Sequence, residues 1–133
     1  MDFDGSRTVA VSADAVWVVV SDANRVADWL PTVALARAVN DGSGVELAGD
    51  SHGHPYRLTT SWEANEKERT LKWGGDDGYR GSLRVVEESS GSSVVRVNVS
   101  VPEERTASFP GAEEEIHQGM QQALDRLAAL VSP

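Results

Sequence analysis

Between Pro31 and Pro102 the sequence alternates apolar and polar residues for about seventy positions, and short turn signals interrupt the alternation. A period of two places successive side chains on opposite faces of a strand, so each segment has one apolar and one polar face. The alternation is clearest from Tyr56 to Ala64, and turn sequences such as Asp41-Gly42 separate the segments. The pattern predicts six consecutive antiparallel strands, joined as a meander with one dry and one wet face.

A first strand and two short helices are predicted ahead of the meander. Residues 7–11 alternate and suit a strand. Ser12 is a typical helix N-cap, but it precedes residues 15–20, whose β-branched side chains would by propensity alone favour a strand. The cap, and the polar residues that follow at helical length, favour a helix here. A second helix over residues 25–29 must end before Pro31, because proline disfavours helical geometry in the residue that precedes it.

One long amphipathic helix is predicted after a break over residues 102–111. Gly119 falls on its apolar stripe, where the missing side chain permits either close backbone approach or an empty space. The order of strand, two helices, six strands and helix predicts an α+β fold, in which a curved seven-stranded antiparallel sheet wraps the last helix. The apolar residues of that helix recur at spacings of three and four: Ile116, Met120, Ala123, Leu124, Leu127 and Val131.

Composition and charge limit the classes of function. With 133 residues, 40% hydrophobic and 25% charged, the chain is predicted to form one domain over residues 1–133. The absence of cysteine excludes disulfides, thiolate nucleophiles and cysteine-ligated zinc. The formal charge of −9 arises from 21 acidic and 12 basic residues, the latter scattered along the strands, so binding to nucleic acid or an anionic membrane is disfavoured. The longest apolar run, residues 15–20, is far too short for membrane insertion, and a cytoplasmic location is expected.

Two segments resemble a known family. Residues 11–17, a capped helix start with Trp17, followed by residues 28–31 with their Trp-Leu-Pro corner, resemble the opening of the polyketide cyclase/dehydrase group within the START-related SRPBCC superfamily. Residues 71–73 and the amphipathic last helix are similar as well, so the resemblance covers essentially the whole chain. It implies the helix-grip fold and a cavity between the sheet and the last helix. The superfamily includes lipid carriers, ligand-binding proteins, cyclases and chaperone activators, so the fold leaves the activity open.

The inward side chains are the candidate lining of that cavity. A strongly bent sheet cannot contact a straight helix along its full length, and aromatic and aliphatic walls with few polar groups suit an apolar ligand. The candidate ligand-binding residues are Trp17, Leu35, Tyr56, Leu58, Trp62, Trp73, Tyr79, Leu83, Val97, Ile116, Gly119 and Met120.

A few polar residues share the phase of these apolar positions. Arg37 and Arg69 lie in phase with apolar strand residues, so either one suits the carboxylate or carbonyl of a ligand. The alternative is that each lies at a strand end and extends to water. Tyr56 and Tyr79 are candidate donors to a carbonyl group, and Thr60 is a candidate for orienting a water molecule.

The same residue types also have purely structural explanations. Trp17 and Trp62 suit a hydrophobic core, and Met120 suits a filler of irregular gaps. His52 and His54 have the spacing of two metal ligands on a strand, but no third ligand is evident and a solvated loop is favoured.

Three functional hypotheses follow from these patterns. The first is a binding or carrier protein for a small hydrophobic molecule, such as a lipid, polyketide or aromatic metabolite, with no cofactor and no metal. The second is an aromatase/cyclase-type enzyme, although no inward acid–base pair is evident. The third is a protein-interaction module that uses the rim of the sheet, and a homodimer is a further hypothesis for the partner.

Overall fold

Seven antiparallel strands and four α-helices make up the chain, in a computed structural model that describes residues 1–51, 53–74, 79–106 and 110–132. The strands are β1 (Asp2–Val9), β2 (Val33–Val39), β3 (Gly44–Ser51), β4 (His54–Asn65), β5 (Thr70–Gly74), β6 (Arg80–Ser89) and β7 (Ser92–Ser100). The helices are α1 (Ala13–Val20), α2 (Val26–Trp29), α3 (Glu103–Thr106) and α4 (Ala112–Val131), with 3₁₀ turns at Ala23–Arg25 and Asn40–Gly42.

The strands form one curved sheet in the order β1-β7-β6-β5-β4-β3-β2, so β1 and β2 are its two edges. Strands β2 to β7 pair sequentially, which confirms the predicted meander, and β1 closes the sheet beside β7. The register sets Trp62 opposite Trp73 and Leu58 opposite Leu47. Directly opposed residues share a face, so the apolar positions of neighbouring strands form one continuous concave surface.

The first strand is longer than its alternation suggested. Strand β1 runs from Asp2 to Val9, and the prediction that it spans residues 7–11 is wrong. Its whole length pairs with β7, from Asp2 opposite Ser100 to Val9 opposite Ser93. This long-range pairing, which a local pattern does not contain, sets the strand boundaries.

Helix α1 forms despite its β-branched residues. The Ser12 side-chain oxygen accepts a hydrogen bond from the Ala15 backbone N–H at 3.2 Å, as expected for an N-cap. Val16, Trp17 and Val20 on one face are buried, so tertiary packing outweighs the weak intrinsic preference for a strand. Helix α2 ends at Leu30, which is extended as its position before a proline requires.

A β-bulge in β2 changes which of its side chains face inward. The pairing of β2 with β3 shifts between Val33 and Leu35, so one residue drops out of the ladder. Beyond the bulge Ala36 lies opposite the inward Leu47, whereas Leu35 and Arg37 point to the convex face. The prediction that Leu35 and Arg37 face the interior is therefore wrong.

Helix α4 bridges the concave side of the sheet. It packs against β1 at one side and against α2 at the other, rather than lying flat on the middle strands. Gly5 of β1 permits the close approach, since a Cβ there would lie 2.8 Å from the Met120 sulfur. An exposed ion pair between Arg7 and Asp125 fastens the same edge.

The Trp73 indole lies directly on the backbone of Gly81, its partner across β5 and β6. A Cβ at Gly81 would overlap the ring, so we expect Gly81→Ala to displace the indole and to lower the free energy of unfolding by about 1–3 kcal/mol. Gly91→Ala is the matched control, because a Cβ there meets no atom within 4 Å. Urea denaturation followed by tryptophan fluorescence measures both variants, and an equal midpoint for the two would contradict this packing.

Candidate functional site

Two apolar clusters occupy the concave side of the sheet. The larger one joins α1, α2 and the second half of α4 to the middle strands, and its principal residues are almost completely buried. The smaller one lies beside the first half of α4, with four buried residues, Phe3, Val99, Val101 and Met120. The boundary between the two clusters is where the interior begins to open.

The smaller cluster is incompletely covered. Trp73, Tyr79, Val97 and Ile116 pack against it but are only half-buried. Trp73 and Val97 also contact the larger cluster, so they lie where the two meet. Together with Met120, five of the predicted site residues therefore lie around one region of the concave face.

Space remains in front of α4 at Gly119. A Cβ built on this half-buried glycine meets no heavy atom within 4 Å, although Ile116 and Met120 lie on either side of it along the helix. Of the two reasons considered for a glycine on the apolar stripe, the structure supports empty space rather than close backbone approach. We refer to the region bounded by Gly119, Ile116, Trp73 and the inner face of β4 as the groove.

Strand β4 supplies the opposite wall of the groove. Leu58 lies on the inner face opposite half-buried Leu47, yet it is 45% exposed, so helices leave this part of the concave surface uncovered. Next on the same face is Thr60, whose hydroxyl oxygen is buried and has no hydrogen-bond partner among the described residues. A buried hydroxyl without a partner is unfavourable, so this polar group is unsatisfied by the described residues.

Three predicted site residues belong to the solid core. Trp17, Trp62 and Leu83 are between 1% and 8% exposed and lie within the larger cluster. Packing in the hydrophobic core therefore explains the positions of these three residues. Trp29 lies in the same cluster, and its indole N–H is buried without a partner among the described residues.

Other predicted site residues are engaged elsewhere. Arg37 forms an ion pair with Glu46 on the convex face, with Nε 2.8 Å from the carboxylate oxygen. Tyr56 shares the inner phase of β4, but its hydroxyl donates to the Thr32 carbonyl oxygen at 3.2 Å and holds the start of β2. Neither side chain is therefore positioned in the structure to hold a ligand in the groove.

Two arginines do share the inner phase, and carboxylates of the helices pair with both. Arg7 pairs with Asp125 of α4, and Arg69 donates to Asp14 of α1 at 2.5 and 3.1 Å. The hydrogen bond that Arg69 donates to Asp14 raises the pKa of the Arg69 guanidinium above its usual value. Both charges lie at the sheet ends and are partly exposed, so the groove itself keeps an apolar lining.

Histidines do not assemble a metal site in the described part of the chain. His54 is exposed, and His52 lies outside the described residues, so the favoured interpretation of a solvated loop stays a prediction for His52. His117 packs the edge of its ring on Phe3, with centroids 5.0 Å apart. Among the residues that the structure describes, no group of three or more potential ligands surrounds a common point.

A separate depression of about 640 Å³ lies at the corner of β2, β3 and β4. It is open to solvent, and its lining includes Ala34 at the bulge, Asp50, Tyr56 and Arg57. It does not share the aromatic lining of the groove.

Phe3 was missed as a member of the smaller cluster because β1 was expected to begin at Arg7. A signal was present, since Phe3 alternates with Asp2 and Asp4 in the period of a strand. Val99 and Val101 also belong to this cluster, although local periodicity does not separate them from the residues of the larger one.

In the described part of the chain, no helix combines the length and apolar character needed to cross a bilayer.

Solved structures with the same fold cover almost the whole chain. The Zhui aromatase/cyclase from Streptomyces superposes with a TM-score of 0.80 at 16% identity, over 98% of this chain and 93% of that chain. A START superfamily protein from Mycobacterium smegmatis superposes with a TM-score of 0.73 at 18% identity, over 98% and 99%. An uncharacterised protein from Bacillus thuringiensis gives 0.78 at 21% identity, over 98% of both chains. At these identities the likeness shows the helix-grip fold alone.

Sequence comparison identifies the family. No curated protein sequence matches the chain significantly. The profile of one family, described as polyketide cyclase/dehydrase and lipid transport, matches residues 1–132. Because this match covers nearly every residue and the fold agrees, the chain belongs to the polyketide cyclase/dehydrase and lipid-transport family.

Proposed function

We propose that the chain binds a small, mainly apolar and uncharged molecule in the groove between the concave face and the first half of α4. The observation that carries this proposal is the open space at Gly119, on the helix segment whose neighbours Ile116 and Met120 belong to the incompletely covered cluster. Incompletely covered apolar side chains favour a ligand, because removing apolar area from water contributes about 25 cal/mol per Å².

The lining also indicates the charge of the ligand. The described groove residues, Leu58, Thr60, Trp73, Ile116 and Met120, carry no carboxylate, imidazole or cation. A charged group buried there without a partner would be strongly unfavourable. The nearest inward cations, at the sheet ends, are already paired, so we expect a neutral ligand.

We expect the Thr60 hydroxyl to supply the polar contact once ligand entry displaces the side chains that bury its oxygen. It can donate to a carbonyl oxygen and accept from a hydroxyl group, and it has no described partner that would compete. A mainly hydrocarbon molecule with a carbonyl or hydroxyl group fits this arrangement, and lipids, polyketides and aromatic metabolites are of that kind. Both activities in the family description act on such molecules.

Cyclisation of a polyketide is a second candidate function, favoured by the family description and by the fold shared with the Zhui aromatase/cyclase. Such a reaction needs proton transfer at a positioned acid or base. The described groove lining offers the Thr60 hydroxyl but no carboxylate or imidazole. Binding without turnover is therefore the better supported function.

Filling the space at Gly119 should weaken binding without harming the fold. We expect Gly119→Leu to weaken binding of the neutral apolar probe N-phenylnaphthylamine by about tenfold or more, a loss of about 1.4 kcal/mol. Thermal stability should be unchanged or higher, because glycine within a helix costs about 1 kcal/mol relative to alanine. Ala129→Leu, at an exposed position of the same helix, is the matched control. Equal affinity of the Gly119 variant and the control in a fluorescence titration would contradict a ligand at this place.

Removing the Thr60 hydroxyl should raise the stability of the protein but lower its affinity for a ligand that carries a carbonyl group. We expect Thr60→Val to raise the free energy of unfolding by about 1–2 kcal/mol, because it replaces a buried, unpaired hydroxyl with a methyl group. Affinity for a naphthyl ketone should fall, whereas affinity for naphthalene should not. Thr59→Val, on the exposed opposite face of β4, is the control. Calorimetric titration measures both ligands, and a parallel change in the two affinities would argue against a hydrogen bond from Thr60.

A further inference from the structure

Basic residues that are scattered in the sequence meet on the convex face of the sheet. The register sets Lys72 opposite Ser82 and Arg84 opposite Arg96, all on the face that points away from the helices. Arg80 has the same phase on β6, two rows from Arg84. We define the basic patch as these exposed cations of β5, β6 and β7: Lys72, Arg80, Arg84 and Arg96.

Within the described part of the chain, the basic patch has no carboxylate close enough to form an ion pair. None of its members forms an ion pair with a residue in the part of the chain that the structure describes, although Arg7, Arg37 and Arg69 each do. Two of its guanidinium groups, those of Arg84 and Arg96, project from directly opposed positions, where like charges are destabilising. A protein with a net charge of −9 has ample carboxylates to neutralise such a pair, so the arrangement is better explained by a partner than by folding.

Acidic residues bound the basic patch on both sides. Glu63 of β4 lies opposite Lys72, and on the other side Asp4 of β1 accepts a hydrogen bond from the Asn98 amide at 2.6 Å. The cations therefore occupy three adjacent strands, a strip about 10 Å wide at the usual strand spacing. A strip of this width fits one extended segment.

We propose that the basic patch binds a short, carboxylate-rich segment of a partner protein. An extended polyanion such as a bilayer or a nucleic-acid duplex would also approach the flanking acids and the acidic remainder of the molecule. Screening limits such effects to about 8 Å at physiological ionic strength, so a narrow acidic segment interacts mainly with the patch. The patch lies on the face opposite the groove, so this proposal is independent of ligand binding.

Arg96→Glu distinguishes this role from a structural one, because it should change binding and stability in opposite directions. We expect the affinity for a short fluorescein-labelled poly-glutamate peptide, measured by fluorescence anisotropy, to fall about tenfold or more. The melting temperature should hold or rise, since an opposite charge then faces Arg84. The affinity of the unmodified chain should weaken as salt is added.

Arg126→Glu is the matched control, because it makes the same change of charge at an exposed position of α4 outside the basic patch. It should leave the peptide affinity within about twofold. An equal loss in both variants, or no measurable peptide binding by the unmodified chain at low salt, would overturn the proposal. Tighter binding to anionic vesicles or duplex DNA than to the peptide would overturn it too.

Discussion

The attachment of α4 at two sides of a curved sheet is the constraint on which the interior depends. Gly5 lets the helix approach β1 at Met120, and α2 receives the helix at the other side. Between these supports the concave surface curves away from a straight helix. Large side chains fill the interval along the second half of α4, where Leu124 and Leu127 are almost completely buried. Along the first half the interval stays partly open, and the groove is the result.

The sheet keeps two kinds of chemistry apart. Its concave face is almost entirely apolar, and the arginines that share its phase, Arg7 and Arg69, are neutralised by helix carboxylates at the sheet ends. Its convex face carries the exposed cations, including the opposed pair Arg84 and Arg96. A strand of period two produces this separation without additional structure, because one residue in two belongs to each side. Binding functions assigned to the two faces can therefore change independently.

The architecture could be predicted from the sequence because periodicity and helix caps are local signals. Period two marked the six-strand meander, and the Ser12 cap identified α1 against the strand propensity of its residues. The pairing of β1 with β7 joins segments that are distant in the sequence, so a local pattern does not reveal it. Because this pairing sets the start of β1, Phe3 was overlooked. The gathering of scattered cations into the basic patch depends on register between strands. The position of α4 decides the role of each inward aromatic residue. Trp62 fills the core, whereas Trp73 borders the groove.

The bulge in β2 has a consequence beyond the side chains that it redirects. It lies in an edge strand, whose unpaired backbone groups would otherwise offer a template for another strand; of these, the Ala38 N–H already donates to the Asn24 side chain at 2.8 Å. A neighbouring chain could not extend the hydrogen-bond ladder evenly past Ala34, because the repeat of donors and acceptors changes there. Strand β2 is thus less suited than a regular edge strand to pair along its full length with another strand.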